Sequence, residues 1–226
     1  MRPMCGRFSL GADATTLVAQ FDLFEAPAWT PRYNIAPTQP APTIVIASAD
    51  PRRGFKLHRW GLIPSWAKDP AIGSQMINAQ AETVAAKPAF RAAFRKRRCF
   101  VLADGFYEWG QQGRKKQPYY IRLRDGRPFA IAGLWEHWEG PEGRAVDSCT
   151  LLTIGANDLI GEFHHRMPVI LDSRDYDLWL DPNVQDAERL QPLLCPYPAD
   201  AMAAYPVSTR VNNPANDTPD CIAPVP

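Results

Sequence analysis

Residues 99–109 read Cys-Phe-Val-Leu-Ala-Asp-Gly-Phe-Tyr-Glu-Trp, an unbroken apolar run followed by a carboxylate between aromatic side chains. A short apolar run of this kind is typical of a buried strand. Similar runs on both sides of it predict further strands, at Thr43–Ala47, Phe55–Leu62, Tyr119–Leu123, Phe129–Leu134, Thr150–Ile154 and Val169–Leu171. The sequence is therefore expected to fold as a domain rich in β-structure.

Helical segments are short by comparison. The spacing of apolar residues predicts helices at 17–24, 85–97, 174–180 and 185–194, with a polar Gly-rich loop at 139–148. Residues 196–226 contain seven prolines and are expected to be ordered only where they pack on the body. Because the chain shows no internal repeat and no linker, we predict a single α+β domain over residues 1–226, with short helices at its periphery.

A basic cluster ends the helical segment 85–97. It consists of Arg95, Lys96, Arg97 and Arg98. Basic residues in a last turn interact favourably with the helix dipole, so the cluster has a structural explanation. Contact with DNA is an equally open alternative.

Composition excludes several classes of protein. The chain has 226 residues, 46% of them hydrophobic, and a formal net charge of +1. This balance gives no bulk electrostatic attraction for nucleic acid, so any DNA site must be a local basic groove. No signal-peptide core or membrane-spanning stretch is present, and we expect a cytoplasmic protein.

The five cysteines, at positions 5, 99, 149, 195 and 221, are widely spaced. Their odd number and the absence of a Cys-x-x-Cys pair argue against a disulfide framework and a zinc site. Cys99 and Cys149 lie in apolar runs and are expected to be buried. Cys5 differs because it directly follows Met4.

Cys5 becomes a double nucleophile if translation begins at Met4 or if residues 1–4 are removed. Its α-amine can then condense with an aldehyde, and its thiolate can close onto the imine as a thiazolidine. An α-amine titrates at about 7.7–8.0, well below the ~10.4 of lysine, so far more of it is the free base at neutral pH. The alternative that Cys5 only begins a strand stays open.

Other residues can support acid–base chemistry. Glu108 lies between Tyr107 and Trp109, where an apolar setting raises the pKa of a carboxyl group; a strand-end Glu facing solvent is the alternative. His164 and His165 are adjacent, and on an extended segment only one of them can enter a pocket. No partner at metal-ligand spacing accompanies them, so no metal and no cofactor are expected.

Tryptophans offer faces for unpaired bases. Trp60, Trp66 and Trp109 are candidates because base–aromatic stacking tolerates any sequence, although aromatic residues usually belong to the core. Trp135, Trp138 and Trp179 are expected to be core residues.

Taken in order, these segments resemble the SOS response-associated peptidase (SRAP) family of abasic-site processing proteins over nearly the whole chain. The matching motifs are Met4-Cys5-Gly6-Arg7-Phe8, Tyr33-Asn34-Ile35-Ala36-Pro37-Thr38, Arg59-Trp60-Gly61-Leu62-Ile63-Pro64-Ser65-Trp66, Asn78-Ala79-Gln80-Ala81-Glu82-Thr83, Ala103–Trp109, Ala132-Gly133-Leu134-Trp135-Glu136, His164–Leu171 and Val207–Asn213. Their number and order make the resemblance specific.

The resemblance implies an SRAP-type fold and a site. Cys5 would be the residue that crosslinks to an abasic site in single-stranded DNA, Asn78 would hold it, and Glu108 would move protons. His164 would assist opening of the deoxyribose ring. The implied DNA contacts are Arg7, Asn34, Pro37, Trp60, Trp66, Gln80, Trp109 and Arg166.

Three departures from the family pattern matter. Met1-Arg2-Pro3 precede the usual Met-Cys start, and an amine at Cys5 requires that they be absent or removed. Gln80 replaces a common Arg, which weakens one phosphate contact unless another basic residue substitutes. Leu102 replaces a frequent proline, with a mild structural effect expected.

Three functions remain to be separated. The first is a lyase-type enzyme that crosslinks itself to abasic single-stranded DNA in the DNA damage response. The second is a cysteine peptidase, acting on its own N-terminus or on other peptides, because Cys, His and Asn also occur together in papain-like sites. The third is a non-covalent single-strand binder. A monomer is the default in each case.

Overall fold

The computed structural model describes residues 6–47, 50–113 and 115–225. The strands are β1 Phe8–Leu10, β2 Arg32–Ile35, β3 Pro40–Ala47, β4 Asp50–Trp60, β5 Asn78–Gln80, β6 Arg98–Ala103, β7 Gly105–Gln112, β8 Lys115–Leu123, β9 Phe129–Glu139, β10 Ala145–Gly155, β11 Arg166–Pro168 and β12 Met202–Pro206. The α-helices are α1 Ala14–Phe21, α2 Arg91–Lys96, α3 Asp158–Gly161, α4 Tyr176–Leu180 and α5 Ala187–Leu190. The predicted strand-rich α+β class with short helices is confirmed.

Five of the strands close on themselves. β10 pairs with β4, β4 with β3, β3 with β6, β6 with β9, and β9 again with β10. Closure leaves these strands without free edges over the paired stretches. Beyond the closed part, the far end of β10 pairs with β5 and with β11. The end of β10 therefore pairs with two short strands, β5 and β11, which carry the predicted site residues Asn78, Gln80 and Arg166.

A second sheet has the order β12-β8-β7-β1-β2. It packs against the closed strands through a shared core, to which Phe8 and Phe106 contribute from the small sheet and Val101 from the large one. A second core lies beneath the helices and includes Phe100 and Leu102. β6 is buried along its whole length because it has a core on each face, which explains its unbroken apolar sequence.

The described part of the Pro-rich tail, residues 196–225, lies against the small sheet. β12 extends the small sheet by pairing antiparallel with β8. Val207 N donates to Pro118 O at 3.0 Å, and Tyr205 Oη donates to Ile222 O at 2.9 Å. The tail is thus part of the small sheet and of its edge.

Several predicted boundaries are wrong. Only Arg91–Lys96 of the segment 85–97 is α-helical, since Pro88 disfavours helical backbone at the residue before it and the preceding segment forms turns. The loop 139–148 is shorter than predicted, because Ala145 already pairs with Glu139 in the β9–β10 hairpin. Val169–Leu171 contributes an isolated bridge at Ile170 rather than a strand.

The basic cluster after α2 divides into two classes. The side chain of Arg98 is buried and donates to four main-chain carbonyls, and Arg97 pairs with Glu136 at 2.6 Å. Arg95 and Lys96 are exposed. Arg97 and Arg98 therefore form specific bonds within the protein, which the helix dipole alone does not explain. No helix among the described residues is long and apolar enough to cross a bilayer.

His58 makes folding sensitive to acid. Its ring is 1% exposed on β4, shares a 2.6 Å hydrogen bond between Nδ1 and Thr43 Oγ1, and lies 5.6 Å from the ring of Trp135. Burial lowers its pKa from 6.5 to about 4. Below pH 6.5 His58 becomes protonated in the unfolded chain but stays neutral in the folded chain. The free energy of unfolding therefore falls as the pH drops towards 4. We expect a loss of about 3 kcal/mol between pH 7 and pH 4 from this residue.

The measurement is urea unfolding of the wild type and His58→Gln at a series of pH values. The variant stays neutral throughout, so the difference between the two proteins should change with pH only below about pH 6.5. Parallel pH curves for the two proteins would contradict the assignment to His58.

Candidate active site

Glu108 is a buried carboxylate on the small sheet. It is 6% exposed, lies on β7 and pairs across the ladder with Tyr119. The solvent-facing alternative is therefore excluded. Its neighbour Tyr107 points to the other face, where its hydroxyl donates to Tyr33 O at 2.6 Å. The main-chain N–H of Tyr107 donates to Arg7 O at 3.0 Å, which places Arg7 alongside β7 next to Glu108.

Asn78 and Gln80 lie on β5, which runs parallel to β10 with Leu151 opposite Asn78 and Thr153 opposite Gln80. Ala79 between them is buried, so Asn78 and Gln80 share the other face of the strand. Asn78 is half-buried and Gln80 is exposed. Asn78, which is predicted to hold Cys5, therefore lies next to Gln80 on one face of β5.

Arg166 begins β11 on the opposite side of β10. Its guanidinium donates twice to Glu82, at 2.5 and 2.9 Å, and to Thr153 O at 2.6 Å. The bond from Arg166 lowers the pKa of Glu82, which keeps the pair charged. Arg166 is therefore held in a fixed orientation against Thr153, the residue opposite Gln80 on β10. A phosphate that binds here would share the guanidinium with Glu82.

His164 follows α3 in a turn. Its Nδ1 accepts a hydrogen bond from the N–H of Arg166 at 3.1 Å. Burial, followed by the nearby charges of His165 and Arg166, lowers the pKa of His164 below 6.5. The ring is therefore neutral at pH 7, and because its Nδ1 accepts, its proton is on Nε2.

The two histidine rings do not point in opposite directions. They stack with centroids 4.3 Å apart, because the segment is a turn rather than extended chain. His164 is half-buried and His165 is exposed, so only His164 is sheltered. The neighbouring Phe163 packs against Tyr119 at 4.6 Å, which ties this turn to the β7–β8 hairpin that carries Glu108. In the described part of the chain, no group of His, Cys, Asp and Glu is arranged to hold a metal ion.

The three candidate tryptophans differ in exposure. Trp60 is 0% exposed, its Nε1 donates to Ile77 O at 2.8 Å, and its ring meets Phe8 edge-on. The predicted base contact by Trp60 is therefore wrong, since the ring has no free face. Trp66 is 60% exposed beside a cavity of about 400 Å³. Trp109 is half-buried and donates from Nε1 to Asn212 Oδ1 at 2.7 Å. Of the core predictions, Trp138 and Trp179 are confirmed, and Trp135 is half-buried.

The prediction that Asn34 contacts DNA is also wrong. It is 0% exposed, and its side chain bonds to Arg7 and to carbonyls of the tail. Arg7 donates from Nη1 to Asn34 Oδ1 at 2.8 Å, so part of its guanidinium is already used inside the protein. Pro37 is half-buried in a turn whose next residue, Thr38, has φ of 72°, a conformation unusual for a β-branched residue.

Cys5 lies outside the described residues. On the small sheet, Arg7 lies beside β7, which carries Glu108, and the turn of His164 packs on β8 through Phe163 and Tyr119. Asn78 and Arg166 lie on β5 and β11, the two short strands that pair with the end of β10. Cys99 and Cys149 are buried free thiols, as predicted.

A model of one protein family, SOS response associated peptidase (SRAP), matches residues 4–214. The chain belongs to the SRAP family. It is 45% identical to the abasic site processing protein YoqW of Bacillus subtilis, over 97% of this chain and 99% of that one. It is 34% identical to the abasic site processing protein HMCES of Gallus gallus, over 98% of this chain and 78% of that one.

Solved structures give the same SRAP-type architecture. A protein from Bacteroides thetaiotaomicron superposes with a TM-score of 0.87 at 26% identity, covering 98% of this chain and all of that one. A protein from Bordetella bronchiseptica superposes with a TM-score of 0.79 at 30% identity, covering 90% of this chain and all of that one.

Sequence reasoning missed part of this SRAP site. Asn212 holds Trp109, and Val211 accepts from Arg7. Both lie in the motif Val207–Asn213, which carried the resemblance but received no role. Glu82 is likewise inside a quoted motif, but its pairing with Arg166 joins residues 84 positions apart and left no signal in the sequence. Asp217, which accepts from the N–H groups of Tyr33 and Asn34, had no signal.

Proposed function

We propose that this SRAP-family protein captures abasic sites in single-stranded DNA as a covalent thiazolidine on Cys5, once Cys5 is the amino terminus. Relatives named abasic site processing proteins support the substrate. The observation that carries the mechanism is the bond from Tyr107 N to Arg7 O, because it sets the segment after Cys5 beside the buried Glu108. Two residues of chain span at most about 7 Å, so the reach of Cys5 from Arg7 is short.

The reaction needs no oxidant and no metal. Opening of the deoxyribose ring exposes an aldehyde at C1′, and the Cys5 amine adds to it. Water leaves to give an imine, and the thiol then adds to the imine carbon while its proton passes to the nitrogen. Ring closure is intramolecular, which gives it a large effective concentration.

The remaining residues divide the other tasks among them. Glu108 takes a proton from the attacking amine and returns it to the departing hydroxide. His164, with its proton on Nε2, donates to the sugar oxygen during ring opening. Asn78 holds the amino terminus. Arg7 and Arg166 contact phosphates, and Trp66, Trp109 and Pro37 line the path of the bases.

The test joins intact mass with a denaturing gel. The protein is weighed and incubated with a single-stranded oligonucleotide that carries one abasic site. A mass that begins at Cys5, with a shifted band that Cys5→Ala loses, is the expected result. A shifted band that survives in Cys5→Ala would refute the proposal, and so would no band from a protein that begins at Cys5.

The peptidase in the family's description is tested on the same samples. We expect the protein to leave added peptides intact, so that any cleavage is limited to exposure of Cys5. Turnover of a peptide that depends on Cys5 would favour the second function instead.

Gln80→Arg is expected to strengthen DNA binding. The new guanidinium would lie beside Arg166, on the exposed face shared with Asn78, and would restore a phosphate contact common in the family. One added phosphate contact should steepen the dependence of log affinity on log salt by about 0.7 for a single strand. Fluorescence anisotropy against salt concentration measures this slope.

The matched control for that prediction is Gln185→Arg. It adds the same charge at an exposed position just before α5, outside β5 and outside the strands β10 and β11 that carry Thr153 and Arg166. Equal steepening by both variants would show a general charge effect and contradict a contact at position 80.

A further inference from the structure

Asn34 connects the two ends of the chain. From its place on β2, its amide donates to Val211 O at 3.2 Å, to Asn213 O at 3.1 Å and to Asn216 O at 2.6 Å. Its two amide hydrogens are thus shared among three carbonyls of one tail segment. Its remaining polar atom, Oδ1, accepts from Arg7.

Arg7 makes the same connection directly. Nη1 donates to Val211 O at 2.7 Å as well as to Asn34. Burial lowers the pKa of this guanidinium, but it remains charged at neutral pH. A partly buried charge needs such hydrogen bonds, so Arg7 is held where the tail segment and Asn34 meet it.

The tail segment is itself fixed on two sides. Asp217 accepts from Tyr33 N at 2.5 Å and from Asn34 N at 2.8 Å, and it forms an ion pair with Arg32. On the other side, Asn212 accepts from Trp109 on β7. Residues 208–217 therefore brace β2 and β7 against each other at the point where Arg7 lies.

We propose that residues 208–217, through Asn34 and Arg7, position the reactive amino terminus for attack. The inference rests on the proposed function and assigns Asn34 and Arg7 as positioning residues. Arg7 is two residues from Cys5, so a shift of its side chain is transmitted to the nucleophile over a few ångströms of chain. Misplacement of a reacting group by about 1 Å can cost about 100-fold in rate.

Burial separates this role from DNA binding. Asn34 is 0% exposed, so it cannot touch a phosphate or a base. The rest of the tail has anchors of its own, in the pairing of β12 with β8 and the bond from Tyr205 to Ile222. A change at Asn34 therefore loosens one segment without releasing the whole tail.

The experiment compares Asn34→Asp with Tyr205→Phe in the full chain. The Asp variant has the same shape but cannot donate to the three carbonyls, whereas Tyr205→Phe removes a tail hydrogen bond away from Arg7. Single-turnover crosslinking at saturating protein gives the rate. Anisotropy with an oligonucleotide carrying tetrahydrofuran, which has no aldehyde, gives the affinity.

Asn34→Asp should slow crosslinking at least 10-fold, a larger factor than any loss of affinity through Arg7, and Tyr205→Phe should match the wild type in both rate and affinity. An unchanged rate in Asn34→Asp, or equal slowing in both variants, would overturn the proposal. Should Asn34→Asp fail to fold, Asp217→Asn replaces it with the same expectation, because the amide weakens the hold on β2 without removing the acceptor. No adduct from the wild type would instead overturn the proposed function, and this inference with it.

Discussion

Glu108→Gln is expected to slow formation of the DNA adduct by about 100-fold or more. The amide fills the same space on β7, where Glu108 is 6% exposed, but it cannot accept and return a proton. Addition of the amine to the aldehyde and loss of water both require such transfers, so the rate should fall while binding of tetrahydrofuran DNA stays constant. Single-turnover kinetics on a denaturing gel and anisotropy separate the two quantities.

Glu136→Gln is the matched control for this experiment. Glu136 is also 6% exposed, but it lies on β9 in the other sheet and pairs with Arg97. Its replacement should lower the melting temperature without changing the rate of crosslinking. If Glu136→Gln slows the reaction as much as Glu108→Gln does, loss of a buried carboxylate acts through stability, and Glu108 is not the proton carrier.

The strands could be predicted because a buried strand has a local run of apolar residues in the sequence. β6 is apolar from Cys99 to Ala103 since it has a core on each face, and β9 and β10 contain similar unbroken buried stretches. The closure of the large sheet could not be predicted. It depends on β10 pairing with four different strands, and such long-range partners leave no local pattern.

The proposed catalytic residues were identified from their chemistry and from the motifs. The predicted DNA contacts were wrong at positions where the side chain is buried, which the sequence did not indicate. Trp60 and Trp66 are six residues apart in one motif, yet one is 0% and the other 60% exposed. The sequence contains no periodicity that separates them, because Trp60 ends a strand and Trp66 lies in the loop after it. The prediction for Asn34 was wrong for a related reason, since the residues that bury it come from the distant end of the chain.

Both ends of the chain therefore belong to the proposed site. The segment before β1 contributes Arg7, and the tail contributes the residues that bond to Arg7 and Trp109. A nucleophile at a chain end has only one flanking segment to restrain it, so neighbouring elements must supply the remaining constraints. The connection through Asn34 meets this need in a way that a nucleophile within a strand would not require.

Arg98→Met is expected to lower the free energy of unfolding by about 3–5 kcal/mol. Its guanidinium is 4% exposed and donates to the carbonyls of Phe94 and Arg95 in α2 and of Trp179 and Asp181 beside α4. Burial lowers the pKa of Arg98 to about 10, so it is charged at neutral pH, and the hydrogen bonds to these carbonyls compensate for burial of the charge. Methionine fills the space but leaves these carbonyls without that donor.

The corresponding fall in melting temperature is about 10 °C for a chain of this size. Arg95→Met is the control, because Arg95 is exposed on the same helix and loses the same charge without a buried bond. Differential scanning calorimetry of both variants decides the point. Equal melting temperatures for Arg98→Met and Arg95→Met would show that the basic cluster acts only through its charge, as the helix-dipole explanation requires. They would also show that the packing of α2 and α4 on β6 does not depend on Arg98.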